Sequence, residues 1–431
     1  MLLKRRTFLQ GCCSAIAAMS GSQLGNLAFA APGSQSRSGA RAAGPRDTLV
    51  TIFLRGGMDA LSLLAPHGDS NYFAARPRTR LLTAQALDID GYFGLHPSAS
   101  KLKALYDAQH LALIPACGFP DSNRSHFEAQ DMIDAGVSGG KGLTQGGWLG
   151  RHLAASPPAS ASVFQAVSIG SGVGPSLAGA PESLAMDSAA NYTLNTDGVN
   201  NSTRTALRAM YATHPDLSDM ALGTLDAVDL LEGNPAGDYT PRNGAVYPGG
   251  EFGDDLKSLA QMLRLDIGLD SATIDFGGWD THENQCNSGN AASGYLADRF
   301  KQVSDGLHAF WTDLLEYHGR LTVVVVSEFG RRLRENDNTG TDHGHGGLMM
   351  VLSSSIRQKR IWGTWPGLAT DQLFERNDVQ STTDYRQVLA ELLMARRGLT
   401  SAASVFPGYV YPKPVGFFLS GTSAVDDWMC L

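Results

Sequence analysis

Four consecutive valines, Val323 to Val326, sit in the run Leu321 to Val326. A stretch with no polar alternation and only β-branched side chains reads as a strand buried on both faces. That requirement excludes an isolated hairpin or a helical bundle and calls for a sheet covered by helices. Thr48 to Leu54 closed by Arg55-Gly56-Gly57, Leu111 to Ala116, Val163 to Ile169, Ala272 to Phe276 and Leu348 to Leu352 repeat the pattern. Between them lie helical periodicities: Leu102 to Gln109, Ser125 to Ala135, Asp255 to Leu263, Tyr295 to His318 and 384–396. Strands alternating with helices predict an α/β chain, a three-layer α/β/α sandwich around a mostly parallel doubly wound sheet.

Residues 155–250 are rich in Ser, Ala, Gly, Asn and Pro and read as an insertion or cap with helices near Thr203 to Thr213 and Asp219 to Leu231. The main domain is expected over 47–431. Residues 1–30 read as an export signal. Lys4, Arg5 and Arg6 precede a weakly apolar stretch, Ala28-Phe29-Ala30 is a cleavage signal, and the arginine pair before Thr7, Phe8 and Leu9 resembles a twin-arginine signal. Residues 31–46 read as a flexible linker. A periplasmic or extracellular location follows, with the twin-arginine machinery as a partner and no transmembrane anchor after processing. The net charge of −8 and the absence of a basic cluster argue against nucleic acid. Cys117, Cys286 and Cys430 remain after processing, too few and too scattered for a disulfide framework.

In such sheets ligands bind beyond the carboxyl ends of the strands. Those ends carry Asp59, then Ser125 and His126 at a helix start, then Asp280 and His282, then Glu328, then Asp342, His343 and His345. Each has an ordinary reading: Asp59 and Ser125 as helix caps, His282 as a surface histidine, Glu328 as a partner of Arg331 or Arg332. Their convergence on one rim predicts a divalent metal site with Asp59, Asp280, His282, Glu328, Asp342, His343 and His345 as ligands. Zinc is the first expectation and calcium, magnesium or manganese the alternatives, as one ion or two. Ser125 would be the nucleophile with Ser122 in reserve, and Arg124 and Arg55 would stabilise the anion.

The motifs Phe53-Leu54-Arg55-Gly56-Gly57-Met58-Asp59, Arg124-Ser125-His126-Phe127, Gly278-Trp279-Asp280-Thr281-His282, Ser327-Glu328-Phe329-Gly330-Arg331 and Thr341-Asp342-His343-Gly344-His345-Gly346-Gly347 carry a resemblance. Their order resembles the alkaline phosphatase and sulfatase superfamily, and more narrowly an exported bacterial family within it, domain of unknown function fifteen-oh-one. The resemblance implies hydrolysis of phosphate or sulfate esters, with a small anionic ester or a modified glycan as substrate. One departure stands out. The superfamily's Ser-Asp-His-Gly is here Ser327-Glu328-Phe329-Gly330, so either His343 supplies the missing nitrogen or a second metal site is weak or absent. Two rival functions remain: a non-catalytic metal-binding export or assembly protein, and a carbohydrate-binding surface protein using Trp148, Trp279, Trp362 and Trp365.

Overall fold

A computed structural model describes residues 47–139, 146–156, 162, 164–188, 201–214, 218–233, 239–287 and 289–418. The export signal, the linker and Cys430 lie outside the described residues. Strands are numbered in chain order: β1 Thr48–Leu54, β2 Leu64–Ala65, β3 Leu87–Asp88, β4 Gly94–Leu95, β5 Leu111–Gly118, β6 Ala166–Ile169, β7 Leu184–Met186, β8 Ser271–Phe276, β9 Leu321–Val326, β10 Gly347–Ser353 and β11 Thr383–Asp384. Eight of them form one sheet in the order β11-β5-β10-β9-β1-β8-β6-β7, and β2, β4 and β3 form a small separate one. In the large sheet β10 runs antiparallel to both neighbours. The other strand pairs are parallel.

Alternation along each strand assigns the two faces. Val50, Ile52, Val323, Val325 and Met350 enter one core with Leu102, Leu256, Phe300 and Leu307 from the helices Ser100–Asp107, Glu251–Arg264 and Tyr295–Asp313. Leu49, Phe53, Val324, Val326 and Met349 enter the other with Met132, Leu149 and Leu389 from His126–Ala135, Trp148–Ala155 and Tyr385–Arg397. All four valines of β9 are at most 3% exposed. Each contributes about 1.5–3 kcal/mol of apolar burial, which pins β9 to the centre of the sheet. The expected α/β/α sandwich is the observed architecture.

Two expectations change. Within 155–250, β6 falls in the strand expected over Val163 to Ile169, and β7 is a strand the sequence did not suggest; both extend the sheet edge. The helix from Tyr295 ends at Asp313, and Leu315–Arg320 continues as 3-10. Cys117 and Cys286 are buried free thiols. No helix among the described residues is long and apolar enough to cross a membrane.

Candidate metal centre

The parallel strands deliver their carboxyl ends to one rim, and the antiparallel β10 delivers its amino end there. The loops after β1, β5, β8 and β9 and the loop before β10 therefore meet. Glycines allow the closeness: a side chain on Gly56, which has a φ of +122°, would collide with the backbone of Asp280, and one on Gly344 with the backbone of Arg331.

At that rim His126, Asp280 and His343 bring one ligand atom each to within 4.8 Å of one another. Asp280 Oδ1 lies 3.3 Å from His126 Nε2, 3.2 Å from His343 Nε2 and 3.0 Å from His282 Nε2. His282 Nε2 and His343 Nε2 are 2.9 Å apart. A tetrahedral ion with ligand distances of about 2.0–2.1 Å has edges of about 3.3–3.4 Å, and the three distances from Asp280 Oδ1 lie within a few tenths of an ångström of that.

The outward nitrogen of each imidazole fixes its tautomer. His126 Nδ1 is 2.7 Å from Glu328 Oε1, His343 Nδ1 is 2.8 Å from the Arg124 carbonyl, and His282 Nδ1 is 3.3 Å from Asp342 Oδ1. Carbonyl and carboxylate oxygens only accept, so each Nδ1 donates and a neutral ring turns its Nε2 lone pair inward. Three lone pairs and a carboxylate oxygen then face one another, which is repulsive unless a cation or extra protons lie among them. His126 Nε2 is buried with no hydrogen-bond partner, an orphan that an ion would satisfy.

The surroundings set the charges. Burial opposes ionisation of Asp280, but the hydrogen bond and charge of Arg331, followed by His343 and His126, outweigh it and bring the carboxyl down to about 2. Burial likewise opposes ionisation of Glu328, yet hydrogen bonds from His126, Gln130 and the backbone hold it below the usual carboxylate range. Glu328 is fully buried and also accepts from Gly56 N at 2.9 Å and Ser327 Oγ at 3.1 Å. The hydrogen bond to Glu328 raises the pKa of His126 against the opposing effect of burial, whereas burial lowers that of His343.

The expected ligands divide into three groups. Asp280, His282 and His343 stand together at the rim. Glu328 and Asp342 stand behind the imidazoles and orient them instead of joining the inner atoms. Asp59 and His345 are held elsewhere. Both oxygens of Asp59 are engaged by Arg76, at 2.6 and 3.0 Å, and Ser62 Oγ donates to Oδ2 at 2.8 Å. His345 is stacked on Phe374, with Nε2 3.2 Å from the Asp121 carbonyl and Nδ1 3.0 Å from Ser381 Oγ.

The expected anion clamps are also committed. Arg124 Nε donates to Asp378 at 3.0 Å and its Nη2 to Glu375 at 2.7 Å. Arg55 pairs with Asp134 and Asp275, both at 2.9 Å. Ser125 precedes the helix His126–Ala135 and its hydroxyl makes no capping hydrogen bond. It stands between the Arg124 carbonyl, which holds His343, and His126. Ser122 is exposed.

His126 was not among the expected ligands, although it lies inside the Arg124-Ser125-His126-Phe127 motif and its ring stands with Asp280 and His343. Its signal is the pairing of an imidazole at a helix start with a buried acid, Glu328, just past the end of β9. Phe329 is 2% exposed and packs beneath the rings of His126 and His343, with centroids 4.9 and 5.1 Å away. An apolar ring thus fills the position where a second nitrogen ligand was sought. Trp148, Trp279 and Trp362 are at most 2% exposed and belong to the packing, and the partly buried Trp365 packs edge-on against Phe93.

Among solved structures, the chain is similar to the C-terminal periplasmic domain of EcEptC from Escherichia coli in complex with Zn, at 10% identity over 76% of each chain and a TM-score of 0.33. It is similar to a protein in the alkaline phosphatase superfamily from Vibrio parahaemolyticus, at 10% identity over 84% of this chain and 71% of that one, with a TM-score of 0.34. It is also similar to alkaline phosphatase from the Antarctic bacterium TAB5, at 12% identity over 73% and 93%, with a TM-score of 0.26. No curated protein matches it. The family model described as "Protein of unknown function (DUF1501)" matches residues 112–408, more than half of the chain, and the chain belongs to that family.

Proposed function

We propose that the protein is an exported metal-dependent enzyme that cleaves phosphate or sulfate esters, with one ion held by His126, Asp280, His343 and His282. The observation that carries this reading is the meeting of three inward Nε2 atoms and one carboxylate oxygen, each imidazole anchored through its other nitrogen. A set dominated by imidazole nitrogens with one carboxylate suits zinc better than calcium or magnesium. Bound there, the ion would act as a Lewis acid toward an ester oxygen and favour deprotonation of a nearby hydroxyl.

The chain's own contribution follows from its contacts. Glu328, Arg124 through its carbonyl, and Asp342 hold the imidazoles in one tautomer. Arg331 is buried and spends its donors on the carbonyls of Gly57, Thr341 and Trp279 and on Asp280, so it fixes the carboxylate's orientation. Ser125 is the nucleophile in this reading. It flanks the two residues that define the centre, and the amino end of the following helix favours an anion.

A second reading, a metal-binding protein without turnover, draws support from Phe329, which leaves room for a single ion, and from the ion pairs that occupy Arg124 and Arg55. One experiment separates the two. Elemental analysis of folded protein should find about one equivalent of metal. Chelation should abolish turnover of a phosphomonoester, diester or sulfate ester from a test panel, and Ser125→Ala should lose turnover while keeping its metal. Metal well under half an equivalent would remove the reading altogether. Full metal with no turnover of any ester would leave the binding protein.

A further inference from the structure

Four arginines at the rim have their donors occupied. Arg55, Arg76 and Arg124 are in ion pairs, and Arg331 is enclosed by carbonyls and Asp280. Arg332 differs. Its backbone N–H donates to the Asp342 carbonyl at 3.0 Å, and the preceding residue bridges His343, so it rides on the loop that carries a metal ligand. Its side chain is 42% exposed. Its nearest carboxylate atom is Asp378 Oδ1 at 4.0 Å, too far for a hydrogen bond. Both that oxygen and Arg332 Nε are buried without a hydrogen-bond partner.

A guanidinium with open donors, 42% exposed on the segment that pairs with the His343 loop, is suited to a tetrahedral oxyanion, because its planar fork matches two oxygens at once. We propose that Arg332 binds the anionic group of the substrate, placing a phosphate or sulfate oxyanion between its guanidinium and the centre formed by His126, Asp280, His282 and His343. The assignment rests on the metal-centred reading and moves the anion clamp from Arg124, where the sequence suggested it, to the arginine whose donors are uncommitted. Burial opposes ionisation of the neighbouring Asp342, but the hydrogen bonds from Asn336 and His282, then the charges of His282 and Arg332, hold its carboxyl below the usual range.

The competing role for Arg332 is structural, a partner for Asp378 once the 4.0 Å gap closes. The two roles differ in readout. Inorganic phosphate and, separately, sulfate are titrated calorimetrically into metal-loaded wild type, Arg332→Gln and Arg332→Lys, with metal content and melting temperature measured for each. The expected result is phosphate or sulfate binding by the wild type and at least a tenfold weaker Kd in Arg332→Gln. Arg332→Lys should recover part of that loss, with metal content unchanged throughout. The anion that shows the larger loss names the substrate class. Equal affinity in wild type and Arg332→Gln, or a loss confined to melting temperature, overturns the proposal. A metal-loaded wild type that binds neither anion overturns it while leaving the metal centre standing. A wild type that takes up no metal removes the centre, and the proposal with it.

Discussion

Two polar clusters lie at the same rim of the sheet, and they are built in opposite ways. Around Asp59 both carboxylate oxygens and the guanidinium of Arg76 have partners. Arg76 and Asp59 are both fully buried and joined by two hydrogen bonds, and Arg76 also donates to the carbonyls of Leu333 and Arg332 at 2.9 Å. Around Asp280 the outer atoms are satisfied and the inner ones are not: His126 Nε2 is an orphan, and two Nε2 atoms face each other at 2.9 Å. A buried charge must be compensated by something. In the first cluster the chain supplies the cation. In the second Arg331 pairs with Asp280, and the inward imidazole nitrogens are what the proposed ion would satisfy. Residue type alone does not separate a ligand from a structural acid, whereas the state of the inward atoms does.

The contrast breaks most easily at Arg76. Arg76→Met leaves Asp59 charged, buried and unpaired, and should cost about 3–5 kcal/mol of stability. Adding Asp59→Leu should return most of that loss, because an apolar pair of similar volume carries no desolvation cost. Chemical denaturation of the single and double variants measures both, and metal content should be the same in each folded variant. If the double variant folds but loses its metal, Asp59 belongs to the centre after all.

Between the two extremes stands Asp134, paired with Arg55 yet 5% exposed. Burial, the largest influence, raises its carboxyl to about 6 even against the charge of Arg55. The folded-state value then exceeds the ordinary 3.8, so the native protein binds the proton more tightly than the unfolded chain. This group's contribution is full below about pH 4, falls as the pH rises toward about 6 and is lost above it. Two pKa units correspond to about 3 kcal/mol. Asp134→Asn should flatten the pH dependence of stability across that interval, and an unchanged slope would mean that Asp134 stays ionised throughout.

How much of this could be read from the chain follows from what pattern encodes. Uninterrupted apolar runs such as Val323 to Val326 announced a buried sheet. The motif around Asp280 and His282 and the loop carrying His343 pointed to the rim where these groups meet, although acids and imidazoles beyond strand ends also take structural roles, as Asp59 and His345 do. The direction of β10 was invisible, since a strand buried on both faces reads the same either way. The commitment of Asp59 to Arg76, 17 residues along, and of His345 to Ser381 depends on tertiary neighbours that no local spacing specifies. His126 was hidden for the same reason. At a helix start it looks like any polar first-turn residue, and only the approach of Glu328 from β9 turns its Nε2 inward.

The finest comparison is within the centre itself, between two carboxylates with the same task. Glu328 anchors His126 and Asp342 anchors His282, each through an Nδ1–H. Glu328 is fully buried and accepts at 2.7 Å, whereas the Asp342 side chain is 50% exposed and accepts at 3.3 Å. Water can replace an exposed acceptor and cannot reach a buried one, so the same chemical change should have unequal effects. Glu328→Gln keeps the shape and removes the charge, and metal affinity should fall about 10–100-fold. Asp342→Asn should lower it about two- to threefold, the scale of an exposed charged contact. Competition with a chromophoric chelator reads both. Equal losses would mean that anchoring is set by the bond alone and not by its burial. A larger loss at Asp342 would place that carboxylate among the ligands and draw the centre outward, toward His282 and the solvent.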